Sequence, residues 1–213
     1  MDSGVELFAK ETIQDYPASF HKKYVGVAQM LTRIYGNQMW CVIPDYPDDF
    51  GNNPVEHNVE KTLTNIEKYH SIENVNWVYP LQADFLDLKS FYYACQQVKE
   101  YNPERVAIGS VCKMKNIAFI IKCCSVARQV FPNSWIYAFG LTLKALPYVF
   151  HLLDSFDSSA YYTSRGAGQR MCTTQAQRLE YFKKYLKRID EIIYEVQKQK
   201  TLSFHGEKLV VKD

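Results

Sequence analysis

Several polar residues stand where short apolar runs end. Asp45 follows MWCVIP, Gln82 closes WVYPLQ, and Gly109 and Ser110 follow RVAI. Asp154 and Asp157 flank Ser155 and Phe156 in LLDSFDSS, and Asp2, Ser3 and Gly4 form MDSG. Carboxylates accept hydrogen bonds from ring N–H and amino groups, while a glutamine amide both donates and accepts, so such a set can read the edge of a heterocyclic base. Carboxylates pressed together raise one another's pKa, which makes one of them a usable acid near neutrality. Another can attack a sugar anomeric carbon, as in retaining glycosyl transfer. A single Asp after a strand is commonly a turn or helix-cap residue. The chemistry therefore requires that these positions converge.

Convergence is what the surrounding pattern predicts. The runs Gln38–Ile43, Asn76–Leu81, Arg105–Ile108 and Trp135–Phe139 are short, rich in β-branched or aromatic residues and bounded by turn formers. Buried strands of a parallel sheet read this way. Helix-like stretches lie between and after them: His57–Tyr69, Asp84–Tyr101, Asn116–Val130 and the shorter Leu143–Leu153. Strand–helix alternation implies right-handed βαβ units, hence an α/β fold. Neither GxGxxG nor GxxxxGK[ST] occurs, so the open nucleotide-binding sheet loses its usual phosphate loop. Polar residues gathered at the C-terminal ends of strands point instead to a TIM (β/α)8-type barrel. Full barrels take about 250 residues, so this chain is expected to lack the first one or two strands. The expected divisions are 1–170 for the barrel, 171–200 for a basic amphipathic helix packed on it, and 201–213 for a tail with a short strand at Lys208–Val211. In the helix, Leu179, Phe182, Leu186, Ile189, Ile193 and Val196 form one apolar stripe, opposite Lys183, Lys184, Lys187 and Arg188.

The 213 residues are 47% hydrophobic and 23% charged, a globular composition that excludes collagen, low-complexity tails and small disulfide knots. No apolar run is long enough for a membrane span, and MDSGVELFAK does not read as a secretory signal. Six cysteines without CxxC spacing fit reduced thiols in the cytoplasm. The net charge of +2 hides an asymmetry: residues 165–213 hold 11 Lys and Arg against 6 Asp and Glu. Between 165 and 188 there are seven cations and one acid. Arg165, Arg170, Lys183, Lys184 and Lys187 are accordingly expected to contact nucleic-acid phosphates. A solvated helix face is the alternative for the 183–188 part.

Taken together in order, MDSG, VIPDYPDD, VYPLQ, AIGS and LLDSFDSS resemble the tRNA-guanine transglycosylase superfamily, most closely its DpdA-type, DNA-modifying branch. The resemblance covers about residues 1–160. It implies a TIM-barrel pentosyltransferase that exchanges guanine for a 7-deazaguanine base, in DNA rather than tRNA, through a covalent glycosyl-aspartate. Asp157 corresponds to the nucleophile and Asp2 to the acid/base. Ser3, Gly4, Asp45, Gln82, Gly109 and Ser110 correspond to the base pocket, with Asp154 in an orienting role. Tyr161, directly after the nucleophile motif, is expected to stack on the base. Val5 replaces a glycine of DSGG, Ser110 replaces the second glycine of AIGG, and only Cys172 follows the nucleophile where the tRNA enzymes carry CxCxxC. No metal or other cofactor is implied. Partners would be the nucleic acid, the free base and either a second copy or a partner subunit. Two other classes stay open: a non-catalytic nucleic-acid-binding homologue or partner subunit, and an unrelated barrel hydrolase that uses the carboxylates with a divalent metal.

Overall fold

A computed structural model describes residues 1, 8, 13–47, 55–112, 114–158 and 174–207, the last stretch with side chains to 198. Asp2, Ser3, Gly4, Tyr161, Arg165, Arg170 and the strand expected at Lys208–Val211 lie outside the described residues. Four of the apolar runs contain strands: β1 (Cys41–Val42), β2 (Trp77–Leu81), β3 (Arg105–Ile108) and β4 (Trp135–Ala138). A fifth, β5 (Ser155–Phe156), lies inside the LLDSFDSS motif. All pairings are parallel and the order is β1-β2-β3-β4-β5. The sheet curls as a half-barrel.

The helices are α1 (Phe20–Tyr35), α2 (Asn58–His70), α3 (Leu88–Lys99), α4 (Ile117–Val130), α5 (Leu146–Val149) and α6 (Gln175–Glu207). Their starts are chemically marked. The Asp87 side chain accepts from the Lys89 and Ser90 N–H groups at the head of α3, and Asn116 accepts from Phe119 N–H at the head of α4. Each cap satisfies donors that a helix's first turn leaves unpaired.

Sequential strand order has a one-sided consequence. Each right-handed crossover adds its strand at the same edge, so every crossover helix lands on the same face. Strand residues alternate accordingly. Cys41, Ile43, Tyr79, Leu81, Val106, Ile108, Ile136 and Ala138 pack into the main core with α2, α3 and α4. Val42, Val78 and Ala107 turn to the other face and cluster there with Trp40, Tyr137 and Phe139.

The long C-terminal helix corrects two expectations. It continues as helix to Glu207, so 201–207 is not tail. Its less exposed positions are Tyr181, Tyr185, Ile189, Ile192, Ile193 and Val196, and Ile189 and Ile192 reach the main core. Leu179, Phe182 and Leu186 are 54%, 38% and 43% exposed. The buried stripe is thus rotated from the expected one because two tyrosines, rather than Leu179 and Leu186, turn inward.

Arg128 joins α4 to the starts of β4 and β5. Its Nε donates to Leu152 O at 3.0 Å, Nη1 to Ser134 O at 3.1 Å, and Nη2 to Asp154 Oδ2 at 2.6 Å. The same Oδ2 accepts from Ile136 N–H at 2.8 Å. Burial pushes the Asp154 carboxyl up, but the Ile136 N–H bond and the Arg128 guanidinium outweigh it and hold the group below its ordinary value. A carboxyl lowered in the folded state stabilises above its unfolded pKa of about 3.9, and this contribution fades as pH falls through the folded value. Asp154→Asn should therefore cost about 1 kcal/mol at pH 7, since a third of the side chain is solvent-screened. Its stability should also fall less than wild type's between about pH 5 and pH 3. Urea midpoints across that range test this; parallel curves would refute it.

Candidate functional site

The strand ends are built by polar groups on the inward face of α2. Asn58, Thr62 and Asn65 are buried there, at helical spacing on one face. Asn65 Nδ2 donates to Pro44 O at 2.8 Å, Tyr46 N–H donates to Thr62 Oγ1 at 3.0 Å, and Asn58 Nδ2 donates to Ala83 O at 2.9 Å. Tyr16 OH donates to Asp45 O at 2.8 Å. Backbone that has left the ladder would otherwise carry unpaired buried groups, at about 1–3 kcal/mol each. These bonds fix the segments that present Asp45 and Gln82.

Asp45, Gln82 and Ser110 are only 3%, 3% and 4% exposed, and they form one chain. Gln82 Nε2 donates to Asp45 Oδ2 at 2.5 Å, Ser110 Oγ donates to Gln82 Oε1 at 3.0 Å, and Ala83 N–H donates to Ser110 Oγ at 2.7 Å. Gly109 makes room for the amide: a Cβ on residue 109 would stand 2.1 Å from Gln82 Nε2. The structure therefore brings together four of the residues singled out in the sequence.

Asp157 lies on the same rank of the sheet. The bonds from Gly109 N–H to Leu81 O, Phe139 N–H to Ile108 O and Asp157 N–H to Ala138 O carry the ladders one residue past the strands. With the pairings Leu81 to Ile108, Ile108 to Ala138 and Ala138 to Phe156, the next rank reads Gln82, Gly109, Phe139, Asp157. Three strand spacings, roughly 14 Å if the sheet were flat, separate its ends. Among the described residues the exposed Asp157 carboxylate is anchored on one side, with Oδ1 accepting from Gly140 N–H at 2.7 Å. Gly140 is irreplaceable there on two counts: φ is +54°, and a Cβ would meet Cys112 Sγ at 2.6 Å.

No protein-family model matches this chain, and no curated protein matches it. What the site can do rests on its own geometry.

A groove of roughly 400 Å³ runs over the sheet face that carries, among the described residues, no crossover helix, lined by Val42, Val78, Trp135, Tyr137 and Phe139 together with Ser155 and Asp157. Asp157 faces this groove, whereas the Asp45–Gln82–Ser110 chain is buried beside it. On the rim after β2, burial and the neighbouring Glu60 and Asp87 carboxylates raise the Asp84 pKa above its ordinary value. Phe85 is 58% exposed beside it, and Leu86 takes φ +57°. Sequence reasoning passed over these three and over the Asn58–Thr62–Asn65 face. Its signal was present: three polar residues at positions i, i+4 and i+7, where an apolar stripe was expected.

Among the described residues no group of three or more His, Cys, Asp or Glu side chains could hold a metal ion, and Cys41, Cys95, Cys112, Cys123 and Cys124 are free thiols. Burial raises Cys124 to about 12, which suits packing rather than nucleophilic chemistry. Of the basic helix, Lys184 pairs with Glu180 at 2.9 Å, and Lys183 and Lys187 are exposed.

The clash at residue 109 gives a coupled test. Gly109→Ala should destabilise by about 1–3 kcal/mol through overpacking. In a Gln82→Ala background the same change should cost under about 0.5 kcal/mol, because the amide it strikes is gone. Equal costs in both backgrounds, measured by urea unfolding, would show that Gln82 is not what Gly109 accommodates.

Proposed function

We propose that this chain is a base-exchange pentosyltransferase acting on guanine in nucleic acid, DNA in preference to tRNA, through a covalent glycosyl-aspartate on Asp157. The observation that carries this reading is the rank Gln82–Gly109–Phe139–Asp157. It sets a donor–acceptor cluster and a one-side-anchored carboxylate at the C-terminal ends of adjacent parallel strands, where barrel enzymes keep their chemistry. The finer reading of the fold is a sector of a TIM-type barrel.

In the first step an Asp157 carboxylate oxygen forms a bond to C1′ as the C1′–N9 bond breaks. The bonding pair leaves with guanine, which takes a proton from an acid. In the second step the ring nitrogen of a 7-deazaguanine base displaces the carboxylate and gives up its own proton. Asp2 serves this proton relay in the motif resemblance. Asp157 suits the nucleophile's role because Gly140 N–H orients one oxygen, while among the described residues Oδ2 has no hydrogen-bond partner. Asp45 and Gln82 suit base recognition, since the bonds they make to each other can be exchanged for bonds to a purine edge without stranding a polar group. The target base must leave its stack to reach them.

A second reading has its own support. Asp45 and Gln82 satisfy one another while almost fully buried, as they would in a non-catalytic nucleic-acid-binding partner subunit.

Trapping decides between them. Wild type incubated with guanine-containing DNA or tRNA and a 7-deazaguanine base should give a denaturant-stable adduct, seen by gel and mass. Asp157→Ala should give none, and Gln82→Ala should slow its formation at least tenfold. The polymer that forms the adduct names the substrate. Folded wild type that binds nucleic acid without forming an adduct would overturn catalysis and leave the partner-subunit reading.

A further inference from the structure

At the groove's other end, among the described residues, stands a guanidinium without a hydrogen-bond partner. Arg105 opens β3 on the groove face and lines the groove with Trp40 and Trp135. Its guanidinium carbon lies 4.0 Å from the Trp40 ring centroid and 5.2 Å from that of Trp135. Arg105 Nε is buried without a hydrogen-bond partner, and no carboxylate or carbonyl among the described residues meets the rest of the group. Both indoles are themselves pinned. Trp40 Nε1 donates to Asn37 O at 3.0 Å, and Trp135 Nε1 donates to Ser155 Oγ at 2.7 Å. The planar fork is thus held between two fixed rings while its donors stay uncommitted.

A guanidinium offers five N–H donors in a geometry that matches an oxyanion bidentately. Stacking on indoles compensates its charge in part but supplies no acceptor, so the site is complete only when an oxyanion arrives. Trp135 is 44% exposed, enough to offer part of its ring to a further planar group.

We propose that Arg105 is a phosphate-binding site for single-stranded nucleic acid, whose bases stack on Trp135. The choice of nucleic acid over another phosphate source rests on the base-exchange reading. Placement agrees with it. Arg105 pairs in register with Trp135, two ranks below Phe139 and Asp157. Four residues of rise and two strand spacings put Arg105 roughly 16 Å from Asp157, within the reach of a short single strand laid along the groove. Aromatic rings beside a cation are the usual means of holding such strands without reading their sequence.

Binding is measured on the full chain with a fluorescent single-stranded oligodeoxynucleotide across a salt series, alongside tryptophan fluorescence on adding inorganic phosphate or the oligonucleotide. Wild type should bind the oligonucleotide with salt-dependent affinity and quench. Arg105→Gln should weaken binding at least tenfold and lower the salt slope by about one. Arg105→Lys should recover only part of the loss, because an ammonium neither stacks flat nor binds bidentately. If Arg105→Gln melts too low to assay, Trp135→Phe, at an exposed position, should weaken binding three- to tenfold. Folded Arg105→Gln binding as wild type, or Trp135→Phe without effect in its place, overturns the site. Inorganic phosphate quenching as strongly as the oligonucleotide, with no oligonucleotide binding, overturns the nucleic-acid assignment. No turnover is needed, so binding through Arg105 without an Asp157 adduct refutes base exchange alone. An adduct formed with Arg105 irrelevant to binding refutes this site alone.

Discussion

The Gln82 amide occupies the space that a side chain at residue 109 would need, and much of the rim depends on that one substitution of hydrogen for methyl. With the amide seated, it donates to Asp45 and accepts from Ser110, whose oxygen in turn receives Ala83 N–H. Three consecutive strand ends are thereby stitched by side chains after their backbone ladders have finished. Displacing the amide would take from the buried Asp45 carboxylate its amide donor and from the Ser110 hydroxyl its acceptor, at about 1–3 kcal/mol for each polar group left unsatisfied. The same logic extends outward to α2, whose buried Asn58, Thr62 and Asn65 trade apolar packing for bonds to loop backbone.

Strand order then decides which face of the sheet carries the groove. Because the crossovers all add at one edge, the described crossover helices cover one sheet face, and the other presents small and aromatic side chains stacked in ranks. The lowest rank carries Arg105 and Trp135, the next Ala107, Tyr137 and Ser155, and the highest Gly109, Phe139 and Asp157. Among the ranked residues of this face, Arg105 puts a cation at the bottom and Asp157 a carboxylate at the top, and the Met1 ammonium, donating to Trp40 O, lies at the groove's margin. Between them the floor is mostly aliphatic and aromatic, with the Ser155 hydroxyl taken up by Trp135 Nε1.

Sequence periodicity located the four longer apolar runs and the helices between them to within a few residues, because each is bounded by Asn-Pro, Phe-Pro or a capping Asp or Asn. It did not mark α1, where only Tyr24 and Ala28 are buried while Val27, Met30 and Ile34 remain exposed, so apolar spacing there reports no single core face. It also did not mark β5 as a strand, since two residues inside a polar motif show no alternation. The strand-end positions Asp45, Gln82, Gly109 and Ser110 were legible from type and place. Their contact with one another was not, for it depends on register. Reading the runs as uniformly buried also hid their two-sidedness: Trp40, Arg105 and Trp135 occupy alternate positions facing the groove, and that becomes visible only when neighbouring strands are aligned.

Three aspartates from the same sequence pattern illustrate how environment assigns role. Asp45 is buried, and its carboxylate accepts from the Gln82 amide. Asp154 binds Arg128 and the Ile136 N–H through one oxygen and is held below its ordinary pKa; withdrawing it would unfasten the start of β5. Asp157 has a single backbone donor on one oxygen and faces an open groove. The proposed base exchange asks for a carboxylate oriented without being consumed by its orienting contacts, and of the three Asp157 is the one that fits that proposal. The motif D-S-F-D thus divides its labour by geometry: its first acid fastens the strand that carries the second, and the turn at Gly140 aims the second at the groove.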